Sequence, residues 1–257
     1  MASLHEICVF LDDILKLDKF SDDPSNNGLQ FEGVDEVKKA VFAVDACEAV
    51  FQAAIDLDAD FIFVHHGISW GSGIKRVTGS MAKRITLLAA NGVSLYGAHL
   101  PLDANEMMGH NALIADIISL ENLVPFGDYH GKKIGFRGEL ETPVSLNELA
   151  EFLDQELPSE GDFKIIGDPD KKVRNIAVIS GGGAWPELFD EIRECGVECL
   201  ITGEATHEVY HPALEADTHI LTLGHYRSET PGVIAVMNTL REKFQLETEF
   251  IDCPTNM

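Results

Sequence analysis

Three short apolar runs frame the first half of this chain, and each stops abruptly at polar residues. Ala40 to Val44 ends at Asp45, Phe61 to Val64 at His65 and His66, and the stretch opening at Val93 passes through Ala98 to His99 and Asp103. Apolar runs of this length bounded by turn-forming residues read as buried strands. Cys47 to Leu57 is helical in pattern and crosses from the first strand to the second, which makes a βαβ unit. A second helix, Ser80 to Asn91, follows with Gly92 in the natural stop position. Ahead of them Leu4, Ile7, Cys8, Leu11, Ile14 and Leu15 fall at helical spacing, with Ser3 and Glu6 placed as a capping box, so residues 3–16 are expected to form a helix. Ser21 to Gln30 is dense in turn formers and reads as a loop rich in hydrogen-bonding groups.

A helix from about Asn105 to Leu120 closes this part, and the loop Pro125 to Gly131 is the expected boundary between a domain of residues 1–125 and one of residues 126–257. From Lys132 the pattern restarts. Strands are expected at Ile134 to Arg137, Phe163 to Gly167, Asn175 to Ser180, Val197 to Thr202 and His219 to Leu223. A helix over Ser145 to Leu157 carries Ser145 and Glu148 as a second capping box, and further helices end at Cys195 and cover Glu204 to Ala216. Val233 to Lys243 is the closing helix and Leu246 to Ile251 an edge strand. The fold class is α/β.

Composition changes this picture little, but charge and cysteine usage exclude functions. The 257 residues hold 43 acidic against 19 basic side chains, a formal charge of −24. Such a chain makes a poor nucleic-acid-binding face and a poor partner for an anionic membrane. Cys8, Cys47, Cys195, Cys199 and Cys253 are odd in number and lack the paired spacing of a zinc ribbon, so free thiols are expected. The amino terminus lacks a basic region followed by an apolar run, and no stretch approaches the roughly 20 apolar residues of a membrane span. The expected location is the cytoplasm.

The chemistry gathers at strand ends: His65, His66, His99, Asp103, His225 and Glu229. Carboxyl ends of strands in open α/β sheets are where ligands bind, because the loops there leave a crevice. Imidazole and carboxylate without cysteine suit Zn, Fe, Mn, Co or Ni. Adjacent residues on a strand point to opposite faces, so His65 and His66 serve one site only if the chain bends, as Gly67 allows, or if two metals flank them. His225 and Glu229 are four apart and share a face if one helical turn joins them. Two features stay open: the Gly181 to Gly183 turn either holds an anion or packs tightly on the sheet, and His207 with His211 is either a metal pair or a surface element.

Four motifs in order then carry a resemblance: Asn-Asn-Gly-Leu-Gln at 26–30, Val-His-His-Gly-Ile-Ser-Trp at 64–70, Ala-His-Leu-Pro-Leu-Asp at 98–103 and Gly-His-Tyr-Arg-Ser-Glu at 224–229. Together they resemble the GTP cyclohydrolase 1 type 2 homologue family, also called Nif-three-like proteins, over nearly the whole chain. The resemblance implies two α/β domains with mixed sheets and a metal site at strand ends near the domain interface, to which the last segment, from about residue 224, returns His225 and Glu229. It further implies two divalent metal ions per chain and a toroidal homohexamer. His66 and Asp103 would hold one metal, His65 and His225 the other, and Glu229 would bridge them, with His99 orienting a ligand or water. Ser25 departs from a frequent aspartate and Gly67 from a frequent proline.

Two functions are compatible with these residues. The first is a metal-dependent hydrolase of a phosphate ester, a nucleotide or a related ring, with His99 as catalytic proton shuttle and Lys75 and Arg76 steering a small anionic substrate. The second is a regulatory or scaffold protein whose metals order the subunit.

Overall fold

The computed structural model describes residues 1–157, 159 and 162–255. The chain divides into two compact units, one formed by Met1–Leu102 with Val233–Cys253, the other by the described residues of Asp103–Gly232 with Pro254 and Thr255.

The first unit is built on a five-stranded sheet in the order Glu247–Phe250, Lys39–Asp45, Phe61–His66, Ser94–Gly97, Gly28–Phe31. The first three pairings are parallel and the last is antiparallel, so the sheet is mixed. Phe61, Ile62, Phe63 and Val64 are all fully buried, as a strand covered on both faces requires. Helices Glu48–Asp56 and Gly79–Asn91 make the crossovers, the second ending on Gly92 in the left-handed conformation at φ 65°. The expected first helix spans Leu4–Ile14 with its Ser3–Glu6 capping box, and Leu4, Ile7 and Leu11 form its buried stripe. The Tyr96 hydroxyl donates to Asp12 Oδ1 at 2.6 Å and ties that helix to the sheet.

The second unit carries a six-stranded mixed sheet in the order Glu121–Tyr129, Lys132–Ser145, Lys172–Ile179, Cys199–Thr202, His219–Thr222, Lys164–Ile166. Helix Leu146–Glu156 packs Leu146, Leu149 and Leu153 into its core beside Val173, Ile176 and Leu221. Each such side chain contributes about 1.5–3 kcal/mol by leaving water. The expected boundary at 125/126 falls within this unit. Pro125 to Gly131 is the tip of an antiparallel hairpin rather than a linker, with Pro125 opposite Phe136 on the outermost strand. Proline is tolerated on an edge strand, where its missing N–H costs the sheet nothing.

Two expected helices are shorter than their apolar pattern. Asn105 Oδ1 accepts from the N–H groups of Met107 and Met108, both at 3.0 Å, so the chain turns there and the helix starts only at His110. Within Glu204 to Ala216 the chain forms a short 3₁₀ turn, His207–Val209, and then a helix over Tyr210–Glu215.

Candidate metal centre

In the first unit three adjacent parallel strands deliver their carboxyl ends together: Asp45, then His65 and His66, then Ala98 and His99. Strand pairing persists through His66, which sits in register with Asp45, and the chain leaves the sheet only at Gly67. The bend therefore follows the histidine pair. The two rings lean to opposite neighbouring strands: His65 Nδ1 lies 2.9 Å from the Ala98 carbonyl, His66 Nδ1 2.9 Å from Asp45 Oδ1. His99 Nδ1 is held in the same way, 2.9 Å from Asp23 Oδ1. One ligand nitrogen from each of the three rings lies within 4.8 Å of the others. Because oxygen acceptors fix all three Nδ1 atoms as N–H donors, each neutral ring carries its lone pair on Nε2, where it is available to a metal.

The supports come from the turn-rich segment at 21–30. The Asp23 side chain is wholly buried and accepts four hydrogen bonds: from Ser25 N (2.9 Å) and His99 Nδ1 (2.9 Å) on one oxygen, from Asn27 Nδ2 (2.9 Å) and Leu100 N (3.0 Å) on the other. Burial pushes its pKa up, but the hydrogen bond and charge of His99, with Asn27 and Ser25, outweigh this and hold it below the ordinary carboxylate value. Asn27 Oδ1 accepts from His99 N at 2.8 Å, and Gln30 Oε1 accepts from Ile68 N (2.7 Å) and Ser69 N (3.1 Å), fastening the loop after the histidine pair. A Cβ at Gly67 would overlap the Gln30 amide, which is why glycine stands there. Trp70 donates its indole N–H to Gly67 O at 2.9 Å and sets its ring edge-on to His99 at 5.1 Å.

The second unit holds the remaining expected ligands. Asp103, 6% exposed, accepts from Ser180 Oγ at 3.0 Å, while its carbonyl accepts from the buried Asn111 at 3.2 Å. His225 and Glu229 do share a helical turn: His225 Nε2 lies 3.2 Å from Glu229 Oε1, and His225 Nδ1 lies 3.2 Å from Glu204 Oε1. Burial lowers the His225 pKa, but hydrogen bonds and charge from Glu229 and then Glu204 prevail and push it up to about 9. Arg227, 4% exposed, anchors this turn through Asp154, with Nη1 2.6 Å from its carboxylate and Nη2 2.7 Å from its carbonyl.

The Gly181 to Gly183 turn belongs to the same cluster. Gly181 N–H donates to Ser228 Oγ at 2.9 Å, so it is committed inward and not offered to an anion. Its φ is +58°, and a Cβ there would collide with Glu229 Oε1. Tight packing explains this glycine.

Sequence reasoning missed Asp23, Asp45, Glu204 and His110. The last is fully buried, and its Nδ1 accepts from Gly232 N at 3.0 Å, which makes Nε2 the protonated nitrogen and His110 a donor rather than a ligand. A single histidine outside the four motifs gives no sequence signal. His207 and His211 are exposed and join no three-donor group among the described residues. Lys75 and Arg76 are exposed on their loop. Among the described residues no helix is long and apolar enough to cross a membrane.

Comparison with known proteins agrees with these motifs. The family model described as Duf34/NIF3 (NGG1p interacting factor 3) matches residues 2–257. A GTP cyclohydrolase 1 type 2 homolog of Archaeoglobus fulgidus is 44% identical over 99% of this chain and 100% of its own, and one of Pyrococcus horikoshii is 43% identical over 98% of each. The solved structure of TTHA1606 from Thermus thermophilus covers 100% of both chains at 33% identity and a TM-score of 0.87. With full-length coverage on every side, the chain belongs to the Duf34/NIF3 family.

Proposed function

We propose that this protein is a dinuclear metal-dependent hydrolase acting on a phosphate ester, a nucleotide or a related ring. The observation that carries the reading is the shared tautomer of His65, His66 and His99, each with Nδ1 committed to an oxygen and the basic lone pair on Nε2. Carboxylates of the right kind stand in Asp103 and Glu229, and the relatives' name is consistent with hydrolytic ring chemistry. On this reading His66 and Asp103 would hold one ion, His65 and His225 the other, and Glu229 would serve both. Divalent ions so held supply Lewis acidity and neutralise the charge of an anionic substrate.

The chain's own groups do the rest. Asp45 and the Ala98 carbonyl orient His66 and His65, while Ser180 fixes the Asp103 carboxylate through one of its oxygens. His99 is the proton shuttle: its Nε2 accepts a proton, and the imidazolium that forms lies 2.9 Å from a buried carboxylate that stays ionised. Lys75 and Arg76 draw the anionic substrate to a chain that would otherwise repel it. The subunits assemble as a ring-shaped homohexamer, on the strength of the motif resemblance.

The test is a panel of phosphate mono- and diesters and nucleoside triphosphates, assayed with Mn, Zn, Co, Fe and Ni. Turnover that requires metal and disappears in Asp103→Ala is expected. No turnover across the panel, or turnover undiminished in Asp103→Ala, overturns the hydrolase reading in favour of a regulatory metal-binding protein.

A further inference from the structure

Two of the five cysteines come together at the edge of the first unit's sheet. Cys47 caps helix Glu48–Asp56 immediately after strand Lys39–Asp45, and Cys253 follows the edge strand Glu247–Phe250 that pairs parallel with it. The register brings Phe250 beside Phe42, and Ile251 N donates to Phe42 O at 2.8 Å, so the chain beyond Ile251 runs on toward the level of Asp45 and Cys47. Both thiols pack on one apolar cluster with Val41, Ala43 and Ala46, and the Cys253 side chain is in hydrogen-bond contact with that of Cys47. Each is partly exposed, so a small oxidant reaches them. Cys8, Cys195 and the buried Cys199 lie on other elements.

We propose that Cys47 and Cys253 are a dithiol oxidation site, which a hydroperoxide closes into a disulfide that staples the edge strand to the body of the sheet. One sulfur attacks the peroxide, the O–O bond breaks, and a sulfenic acid forms as the first water leaves with that thiol's proton. The second sulfur attacks the sulfenic sulfur, the S–S bond forms, and the S–O bond breaks to release the second water with the other proton. The two thiols supply two electrons, which reduce one hydrogen peroxide to two waters. Burial, the neighbouring Cys47 and the carboxylates of Asp45 and Asp252 hold the Cys253 thiol above its ordinary value. Attack by the Cys253 sulfur is therefore slow at neutral pH. Slow closure suits a staple rather than a fast sensor.

The placement gives the staple a purpose. Strand Glu247–Phe250 has a single neighbour in the sheet, and four residues of parallel pairing hold it. A crosslink between residues 47 and 253 closes a very long loop, which is where a disulfide restrains the unfolded chain most. It also forms two residues from Asp45, the acceptor that orients His66. The inference stands on these thiols alone and is independent of the hydrolase reading.

The test treats the full-length protein with hydrogen peroxide, blocks remaining thiols with N-ethylmaleimide and maps peptides by non-reducing mass spectrometry. The expected product is a Cys47–Cys253 crosslinked peptide, lighter than its two thiol halves by about 2 Da and reversed by dithiothreitol. The oxidised chain should also melt several degrees higher than the reduced one, roughly the shift a long-range crosslink gives, and Cys47→Ser should abolish both changes. Oxidation that stops at sulfinic acid on either residue, or that pairs either one with another cysteine, overturns the proposal. Protection of both thiols from maleimide by added zinc, with no crosslink on oxidation, overturns it in favour of a metal site.

Discussion

Asp23→Asn is the sharpest test of how the histidine cluster is held. The substitution keeps the shape of a wholly buried side chain and replaces one of its two acceptor oxygens by a donor. Whichever way the amide sits, it confronts two of the four donors with an NH₂ group: Ser25 N and His99 Nδ1 in one orientation, Asn27 Nδ2 and Leu100 N in the other. Unmet buried donors cost about 1–3 kcal/mol each, and relaxation of the surrounding loop places the expected loss near the lower end of the sum, about 2–3 kcal/mol. The sign of its pH dependence is fixed. The folded-state pKa of Asp23 is lowered from 3.8, so its stabilisation is fully present above that value and is lost as pH falls through the folded value. The assay is urea unfolding with a metal chelator present, followed by tryptophan fluorescence, for wild type and Asp23→Asn between pH 7 and pH 3. A gap of full size above about pH 5 that narrows below the ordinary carboxylate value is expected. A variant within about 0.5 kcal/mol of wild type at pH 7, or a gap that persists unchanged at the acid end, would refute the four-bond account.

Glu229→Gln should bind fewer metal ions per chain by elemental analysis, since it keeps the shape but loses the charge that two ions would share under the proposed function; two ions at unchanged affinity would remove that role. Gly181→Ala should fold yet lose metal affinity by roughly tenfold or more, because its Cβ displaces Glu229 and its left-handed backbone costs about 1–2 kcal/mol; titration calorimetry reads this. Asp154→Ala should destabilise the chain by about 1.5–3 kcal/mol through loss of the charged hydrogen bond from Arg227 Nη1 to its carboxylate, measured by chemical unfolding. Replacing Lys75 and Arg76 together by Ala should mainly raise KM, while His99→Ala should lower kcat, as steady-state kinetics on any active substrate will separate.

The buried strands and the histidine pair were legible because apolar runs such as Phe61 to Val64 report their own burial. Positions that depend on distant partners were not. Asp23 lies in a run of turn formers and looks like any loop aspartate until the fold brings His99, 76 positions away in sequence, to its carboxylate. The loop expected at Pro125 to Gly131 hides a hairpin because the first five residues of strand Glu121–Tyr129 face solvent and include a proline, so the strand shows neither alternation nor an apolar run. The capping boxes at Ser3 and Ser145 were readable, since both partners lie within one turn. The turn at Gly181 leaves two meanings open, and for that glycine only the destination of its N–H decides between them.

The Gln30 amide has a consequence for how this protein can change. A Cβ at Gly67 would overlap it, a Cβ at Gly97 would crowd it, and the same amide fastens the N–H groups of Ile68 and Ser69. Enlarging either glycine evicts the amide and frees the loop beside His66. Shortening Gln30 instead leaves a glycine next to that histidine with nothing to restrain it. The three positions are therefore epistatic: the cost of a change at one depends on what stands at the other two, and single substitutions will look worse than the right pair made together. A double-mutant cycle on Gly67→Ala and a shortened Gln30 in this chain should therefore show a large coupling energy, the pair costing less than the sum of its singles.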